Sequence, residues 1–199
     1  RRTYPNMISR EGARGMEFSA WGQPGNPPEH EANLVFTRLL AGPMDYTPGI
    51  FGMETRSPGG VQTTWAKQLA LYVVIYSPIQ MAADLLVNYE ANPGPFQFIK
   101  DVPVDWEETR VLAAELGDHV VIARKERGGD VWALGAITDE NPRVLTAPLD
   151  FLDAGRTYRA EIYRDGPDAD YRGKRESIVI EQKTVTSADV LTLALAPGG

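Results

Sequence analysis

The sequence predicts an α/β segment up to about residue 104, followed by an all-β segment over 105–199. Three observations predict this division. Apolar residues recur at helical spacing in the first hundred residues, the period changes to alternation after Asp105-Trp106, and Gly128-Gly129-Asp130 separates two alternating runs. A chain of 199 residues that is 43% hydrophobic can supply the cores of one large domain or two small ones.

In the first segment, Pro27-Pro28 precedes a helical run from Glu29 or Glu31 to Ala41, in which Leu34, Val35, Leu39 and Leu40 keep helical spacing. Gly42-Pro43 stops it, since proline cannot continue a helix and glycine tolerates the reversed backbone. Met44 to Tyr46 reads as a short strand, and Thr47-Pro48-Gly49 turns the chain. A second helix is predicted from about Val61 to Tyr76, with Trp65, Leu69, Tyr72 and Tyr76 on one face. Ser77-Pro78-Ile79-Gln80 has the form of a capping box with proline at the first helical position, and predicts a third helix through about Tyr89. Asn92-Pro93-Gly94-Pro95 is expected to end it.

Beyond the boundary near residue 104, His119–Arg127 and Val131–Ile137 flank the glycine turn as a hairpin. Arg143 to Ala147, Arg156 to Tyr163, Ser177 to Glu181 and Val190 to Leu195 are further short runs between Gly, Pro, Asp and Asn, with Leu191, Leu193 and Leu195 on one face. Such strands predict an antiparallel β-sandwich. Asp165-Gly166-Pro167-Asp168-Ala169-Asp170 lacks the glycine and final glutamate of a calcium-binding loop and reads as a hairpin tip.

Composition excludes several functions. Lys and Arg total 20 against 27 Asp and Glu, a net charge of −7 with no basic run, which argues against nucleic acid or an anionic membrane as partner. No cysteine is present, so disulfides, thiolate metal sites and cysteine nucleophiles are excluded. The longest apolar run, Leu69 to Tyr76, is too short to span a bilayer. The opening Arg1-Arg2-Thr3-Tyr4 reads as internal to a longer protein.

Glu11 and Glu17 lie in Arg10-Glu11-Gly12-Ala13-Arg14-Gly15-Met16-Glu17-Phe18, where the glycines permit tight turns and Arg14 could neutralise one acid. Taken alone, these residues leave two readings open: solvated loop carboxylates, the commoner case, and acids of a catalytic pair. His30 is read as a solvated helix-start residue or a sugar or metal contact, and Glu29 and Glu31 as acids favoured by a helix N-terminus. Asp45 either lines a site or bonds a turn. Trp21 either stacks on a sugar or is buried, and Trp65, Trp106 and Trp132 are expected in the core.

Arg2-Thr3-Tyr4-Pro5-Asn6, the Glu11/Glu17 pair, and Phe36-Thr37-Arg38 leading into Gly42-Pro43-Met44-Asp45-Tyr46-Thr47-Pro48-Gly49 closely resemble glycoside hydrolase family 97, the calcium-dependent α-glucosidase/α-galactosidase group. The resemblance covers essentially the whole chain and implies the last units of a (β/α)8 catalytic barrel over 1–104 and an antiparallel β-sandwich domain over 105–199. A complete barrel takes about 250 residues, so only its last one or two units fit. By the same resemblance Glu11 is a ligand of Ca2+ and Glu17 the general acid that protonates the glycosidic oxygen. The other calcium glutamates and the base or nucleophile of that family lie upstream, outside this chain. The implied substrate is a terminal α-glycoside or oligosaccharide, with α-glucosides preferred to α-galactosides. The remaining N-terminal part of the enzyme is the implied partner, and a bacterial periplasmic or secreted location is implied. A reading of another class is a non-catalytic β-sandwich, structural or carbohydrate-binding. For such a module, Tyr158, Tyr163 and Tyr171 are scattered and form no obvious platform.

Overall fold

Helices occupy the first hundred residues and strands the remainder in the computed structural model, which describes residues 4, 6–21 and 24–199. The helices are α1 (Phe18–Trp21), α2 (Glu29–Phe36), α3 (Trp65–Val74), α4 (Leu86–Ala91) and α5 (Pro93–Asp101), with a 3-10 turn at Arg38–Ala41 after α2. The strands are β1 (Trp106–Glu115), β2 (His119–Glu126), β3 (Trp132–Thr138), β4 (Arg143–Pro148), β5 (Tyr158–Asp165), β6 (Ile178–Val185) and β7 (Val190–Leu195). No helix among the described residues is long and apolar enough to cross a membrane.

The central helix is α3. The Thr64 side chain accepts from the Lys67 amide at 3.2 Å and caps its first turn. Residues 66–69 and 71–74 are all buried, so the expected single apolar face is a helix enclosed nearly all round. It lies against β3 at Gly135, where an added Cβ would sit 2.9 Å from both the Ala70 carbonyl oxygen and Val73 Cβ. Any larger residue there would push helix and strand apart. The all-β part also holds both ends of α3. The Thr64 and Trp65 amides donate to the Gly198 and Arg175 carbonyls at 3.0 and 2.9 Å. Arg124 of β2 donates through Nε to the Val73 carbonyl at 2.6 Å, covering a helix C-terminus that lacks intrahelical donors.

A buried ion pair fixes the middle of α3. Lys67 Nζ, 0% exposed, lies 3.3 Å from Oε2 of Glu31, 1% exposed. The same ammonium donates to the Pro28 carbonyl at 2.6 Å and the Thr138 carbonyl at 2.8 Å. Tyr46 donates its hydroxyl to Oε1 of Glu31. Glu31 is therefore more than a helix-dipole acid. Val120, Ile122 and Ile137 of the sheet share one apolar cluster with Met16, Met44, Tyr46 and Leu71, so the core is continuous between the helical and strand-rich parts.

All ladders are antiparallel: β1-β2-β3 form one sheet, β4-β7 a second and β5-β6 a third. A second core gathers Leu149, Leu152 and Val185 with Trp132, Leu134 and Leu191, joining the three sheets. The β2–β3 hairpin forms where the glycine turn predicts it. Strand β1 escapes the sequence pattern because its register shifts twice against β2, between Trp106/Glu108 and between Val111/Ala113. Each shift breaks the two-residue period.

The predicted third helix is not formed. Residues 77–85 are irregular, and helix appears only at α4. Ser77 Oγ, instead of capping, bonds Ser9 Oγ at 3.0 Å and the Ile79 carbonyl at 2.8 Å, while Gln80 donates to the Tyr72 carbonyl at 3.2 Å. Other partners, among them Ser9 at 68 residues' distance in sequence, thus displace the local capping box. Asn92-Pro93 also starts a helix, α5, as well as ending one; proline at the first position forfeits no helical hydrogen bond. The first predicted helix breaks at Thr37, whose Oγ1 donates back to the Asn33 carbonyl at 2.7 Å.

Two stability outcomes follow. Lys67→Met leaves Glu31 as an unpaired buried carboxylate and is expected to cost about 3–5 kcal/mol in a denaturant titration, with part of the loss recovered in the Lys67→Met/Glu31→Gln double variant. Asp165 is buried, its Oδ2 accepts from the Ala196 amide at 2.8 Å, and its Oδ1 has no partner. Burial raises its pKa above the ordinary 3.8. A carboxyl that holds its proton more tightly when folded loses stability as pH rises past 3.8 and through the raised value. The denaturation midpoint of Asp165→Asn should therefore gain on wild type as pH rises through that window.

Candidate active site

Residues 9–10, 44–46 and 76–77 lie side by side as short extended pieces. Arg10 forms a parallel bridge with Met44, the Asp45 amide donates to the Arg10 carbonyl at 3.1 Å, and the Met44 amide donates to the Tyr76 carbonyl at 3.3 Å. The predicted strand at Met44–Tyr46 is thus reduced to a single bridge. Glu11 follows Arg10 directly and opens the loop that carries Glu17 into α1.

That loop is held by side chains from α2, the 3-10 turn and the segment before α2. Arg38 donates through Nε to the Glu11 carbonyl and through Nη2 to the Arg10 carbonyl, both at 2.8 Å. It also reaches the Gly42 and Pro43 carbonyls at 3.1 and 3.2 Å, so one guanidinium joins the two extended pieces. His30 Nε2 bonds the Arg14 carbonyl at 2.8 Å and Asn26 Nδ2 donates to the Gly15 carbonyl at 2.8 Å. His30 therefore braces the loop. Gly12 has φ +69°, and a Cβ there would lie 2.8 Å from Arg38 Nε; conformation and space both call for glycine.

The loop brings Glu11 and Glu17 together. The Gly15 amide donates to Glu11 Oε1 at 2.9 Å. A Cβ added to Gly15 would stand 2.8 Å from Glu11 Oε1 and 3.0 Å from Glu17 Oε2, so both carboxylates close over the bare face of this glycine. Both are exposed, and no lysine or arginine among the described residues is ion-paired with either. Arg14, which could have neutralised one acid, instead stacks over Phe18 with its guanidinium carbon 4.8 Å from the ring centre. The Met16 amide donates to the Tyr46 carbonyl at 2.9 Å. Burial, and then the charge of Glu31, raise the Tyr46 pKa well above 10.0, so this hydroxyl stays a neutral donor.

The other sequence candidates fall elsewhere. Asp45 accepts from Thr47 Oγ1 at 3.3 Å, a turn contact, and Thr47 has φ +60°, unusual for a β-branched residue. Arg2, Thr3 and Pro5 lie outside the described residues; Tyr4 and Asn6 are exposed. Trp65, Trp106 and Trp132 are half-buried: Trp65 packs on Phe51 and Trp132 on Phe151, while Trp106 lines a cleft. One group of three potential metal-ligating side chains occurs among the described residues, Glu115, Asp118 and His119 at the β1–β2 turn, but Asp118 is already ion-paired with Arg143 at 3.0 Å. A cleft of about 520 Å³ between the 3-10 turn and β1–β2 contains a single carboxylate, Asp105, paired with Arg127 at 3.1 Å. The sequence assigns no role to Arg38, although it lies in Phe36-Thr37-Arg38; the carbonyls of the acid loop that it holds are 27 and 28 residues away.

Two carboxylates thus converge on one loop beside short extended segments, and the proteins this chain matches are glycoside hydrolases. Residues 105–199 match the family model described as "Glycosyl-hydrolase 97 C-terminal, oligomerisation". The whole chain is 36% identical to part of a retaining α-galactosidase of Bacteroides thetaiotaomicron and 31% identical to part of a probable retaining α-galactosidase of Streptomyces bingchenggensis, spanning 30% and 28% of those proteins. Two solved structures of a glycoside hydrolase family 97 enzyme from Pseudoalteromonas sp. strain K8, complexed with panose and with acarbose, are 55% and 56% identical; each superimposes with a TM-score of 0.94 over all of this chain and 31% of the other. The chain belongs to glycoside hydrolase family 97 and corresponds to its C-terminal portion.

Arg38→Ala removes charge-assisted bonds to the Arg10 and Glu11 carbonyls, each of a kind worth about 1.5–3 kcal/mol. Amide hydrogen exchange across residues 10–17, followed at the Gly15 amide, should accelerate about tenfold or more, with β2 and β3 unchanged.

Proposed function

We propose that this chain is the C-terminal part of an exo-acting, calcium-dependent α-glycosidase, with Glu17 as general acid and Glu11 as a calcium ligand. The convergence of these two carboxylates on Gly15 is the observation that carries the reading. Residues 1–104 are assigned to the end of a (β/α)8 barrel and 105–199 to its β-sandwich domain. In support of the barrel, extended and helical pieces alternate, Arg10 and Met44 pair in parallel, and the Ser9 and Ser77 hydroxyls bond at 3.0 Å from segments on either side of Met44. Side chains of alternate strands meet in this way inside a barrel, and acids at its strand ends face the substrate.

In this mechanism the bond between the anomeric carbon and the glycosidic oxygen breaks, its electron pair passes to that oxygen, and the oxygen takes the proton of the Glu17 carboxyl. The leaving saccharide departs as an alcohol. The base or nucleophile comes from outside the chain. Glu11 suits calcium because it offers exposed carboxylate oxygen, oriented by the Gly15 amide, with no competing base among the described residues. Calcium takes about 6–8 oxygen ligands, so most of the shell comes from outside this chain. When bound, the ion supplies orientation of sugar hydroxyls and a positive charge beside the leaving group.

The favoured substrates are α-glucosides. The 55% and 56% identical enzyme is complexed with panose and acarbose, whereas the relatives named α-galactosidases are 36% and 31% identical. The implied periplasmic or secreted location accompanies this reading. A carbohydrate-binding module is less well supported. Tyr163 packs on Phe98, while Tyr158 and Tyr171 lie under Arg156 and Arg172, so these rings form no open row.

In the full-length enzyme, Glu17→Gln should lower hydrolysis of an α-glucoside with a poor leaving group by about 10²–10⁴, and that of an activated aryl α-glucoside far less. A chelator should abolish activity that calcium restores, and Glu11→Gln should raise the calcium needed. Wild-type turnover by Glu17→Gln on the poor leaving group would remove the acid assignment. Binding of maltooligosaccharide by residues 105–199 alone would favour the module.

A further inference from the structure

We propose that Trp21 is the stacking surface of a leaving-group subsite, lying against the pyranose that Glu17 releases; this rests on the acid assignment above. The Ala20 amide donates to the Glu17 carbonyl at 2.9 Å, forming the helical turn that starts α1. Residues four apart on such a turn share a face, so Glu17 and Trp21 project from the same side. Trp21 is 66% exposed, a large apolar ring left uncovered one helical turn after the acid.

The indole is also held in place. Phe18 meets it edge to face, with centroids 5.2 Å apart at 70°, and Arg14 backs Phe18. The ring packs against Phe18 and also lines a cleft of about 390 Å³, whose other lining includes Ile50, Glu54, Thr55, Arg56, Asp84 and Leu85. That wall is rigid. Asp84 Oδ2 accepts from the Phe51 and Gly52 amides at 2.6 and 2.7 Å, and its Oδ1 from Asn88 at 2.6 Å. Thr55 Oγ1 donates to the Ser19 carbonyl at 2.7 Å and ties this wall to α1. An apolar ring in a cleft that also holds Glu54, Thr55, Arg56 and Asp84 matches a pyranose, which offers C–H groups on one face and hydroxyls around its edge. The ligand class is a saccharide leaving group.

The test compares two substrates with the same glycone in the full-length enzyme: an α-linked oligosaccharide and the α-glycosyl fluoride, whose leaving group has no sugar ring. Trp21→Ala should lower kcat/KM for the oligosaccharide about tenfold or more and leave the fluoride unchanged, with Trp21→Phe in between. Unchanged fluoride hydrolysis also shows that the variant is folded. Equal losses on both substrates would mean that Trp21 packs against preceding polypeptide and would overturn the subsite, as would no loss on either. Glu17→Gln assayed beside it separates the two ideas: full oligosaccharide activity there defeats the acid assignment, whereas the substrate split in Trp21→Ala concerns the subsite alone.

Discussion

Lys67 is the residue on which the arrangement depends. Its ammonium, carried on α3, is fully buried, and its partners come from three places in the chain: Glu31 on α2, the Pro28 carbonyl before it, and Thr138 at the end of β3. A buried ion pair contributes little net stability against well-packed apolar residues. What it fixes is geometry, because an ammonium without water must find oxygen acceptors, and the observed arrangement of α2, α3 and β3 provides them. Glu31 then has an oxygen left for the Tyr46 hydroxyl. The backbone of Tyr46 in turn receives the Met16 amide, one residue before Glu17. A continuous series of polar contacts thus runs from the end of β3 to the acid loop.

The same device recurs. Arg38 holds the Arg10, Glu11, Gly42 and Pro43 carbonyls, Arg124 holds Val73 and Val74, and Arg175 holds Tyr171, Met53 and Gly59. Cations from one part of the chain satisfy carbonyls that loops and helix ends leave unpaired in another. In a chain without cysteine, this is how segments rich in glycine and proline are fastened. Arginine suits the task because its planar fork carries five donors and reaches several carbonyls at once.

The sequence showed which features are local. The β2–β3 hairpin was readable because Gly128-Gly129-Asp130 and the alternation beside it act within about ten residues. The β1 strand was not, since two register shifts scramble its period. The Ser77 capping box failed for a related reason: a hydroxyl at 3.0 Å from Ser9, 68 residues away, outcompeted the local cap. Glu31 looked like an N-terminal helix acid because nothing nearby in sequence announces Lys67. For Glu11 and Glu17, spacing favoured solvated side chains, and the family resemblance alone singled them out. The geometry supplies a physical reason for their pairing, since Gly15 leaves room for both carboxylates where any Cβ would push them apart.

The division of labour between loop and scaffold follows from that geometry. The general-acid role proposed for Glu17 needs a carboxyl free of permanent ion pairs, or its proton cannot be passed on; yet it must be held where the leaving oxygen arrives. A solvated glutamate on a mobile loop meets the first requirement and fails the second. Here the carbonyls of residues 10, 11, 14 and 15 are each bonded by Arg38, His30 or Asn26, while the carboxylates of Glu11 and Glu17 bond no side chain among the described residues. The backbone is immobilised and the acids stay available. Since the anchoring groups sit on elements locked by Lys67 to β3, the strand-rich segment acts on the site through position alone, contributing none of the two acids and much of their fixed placement.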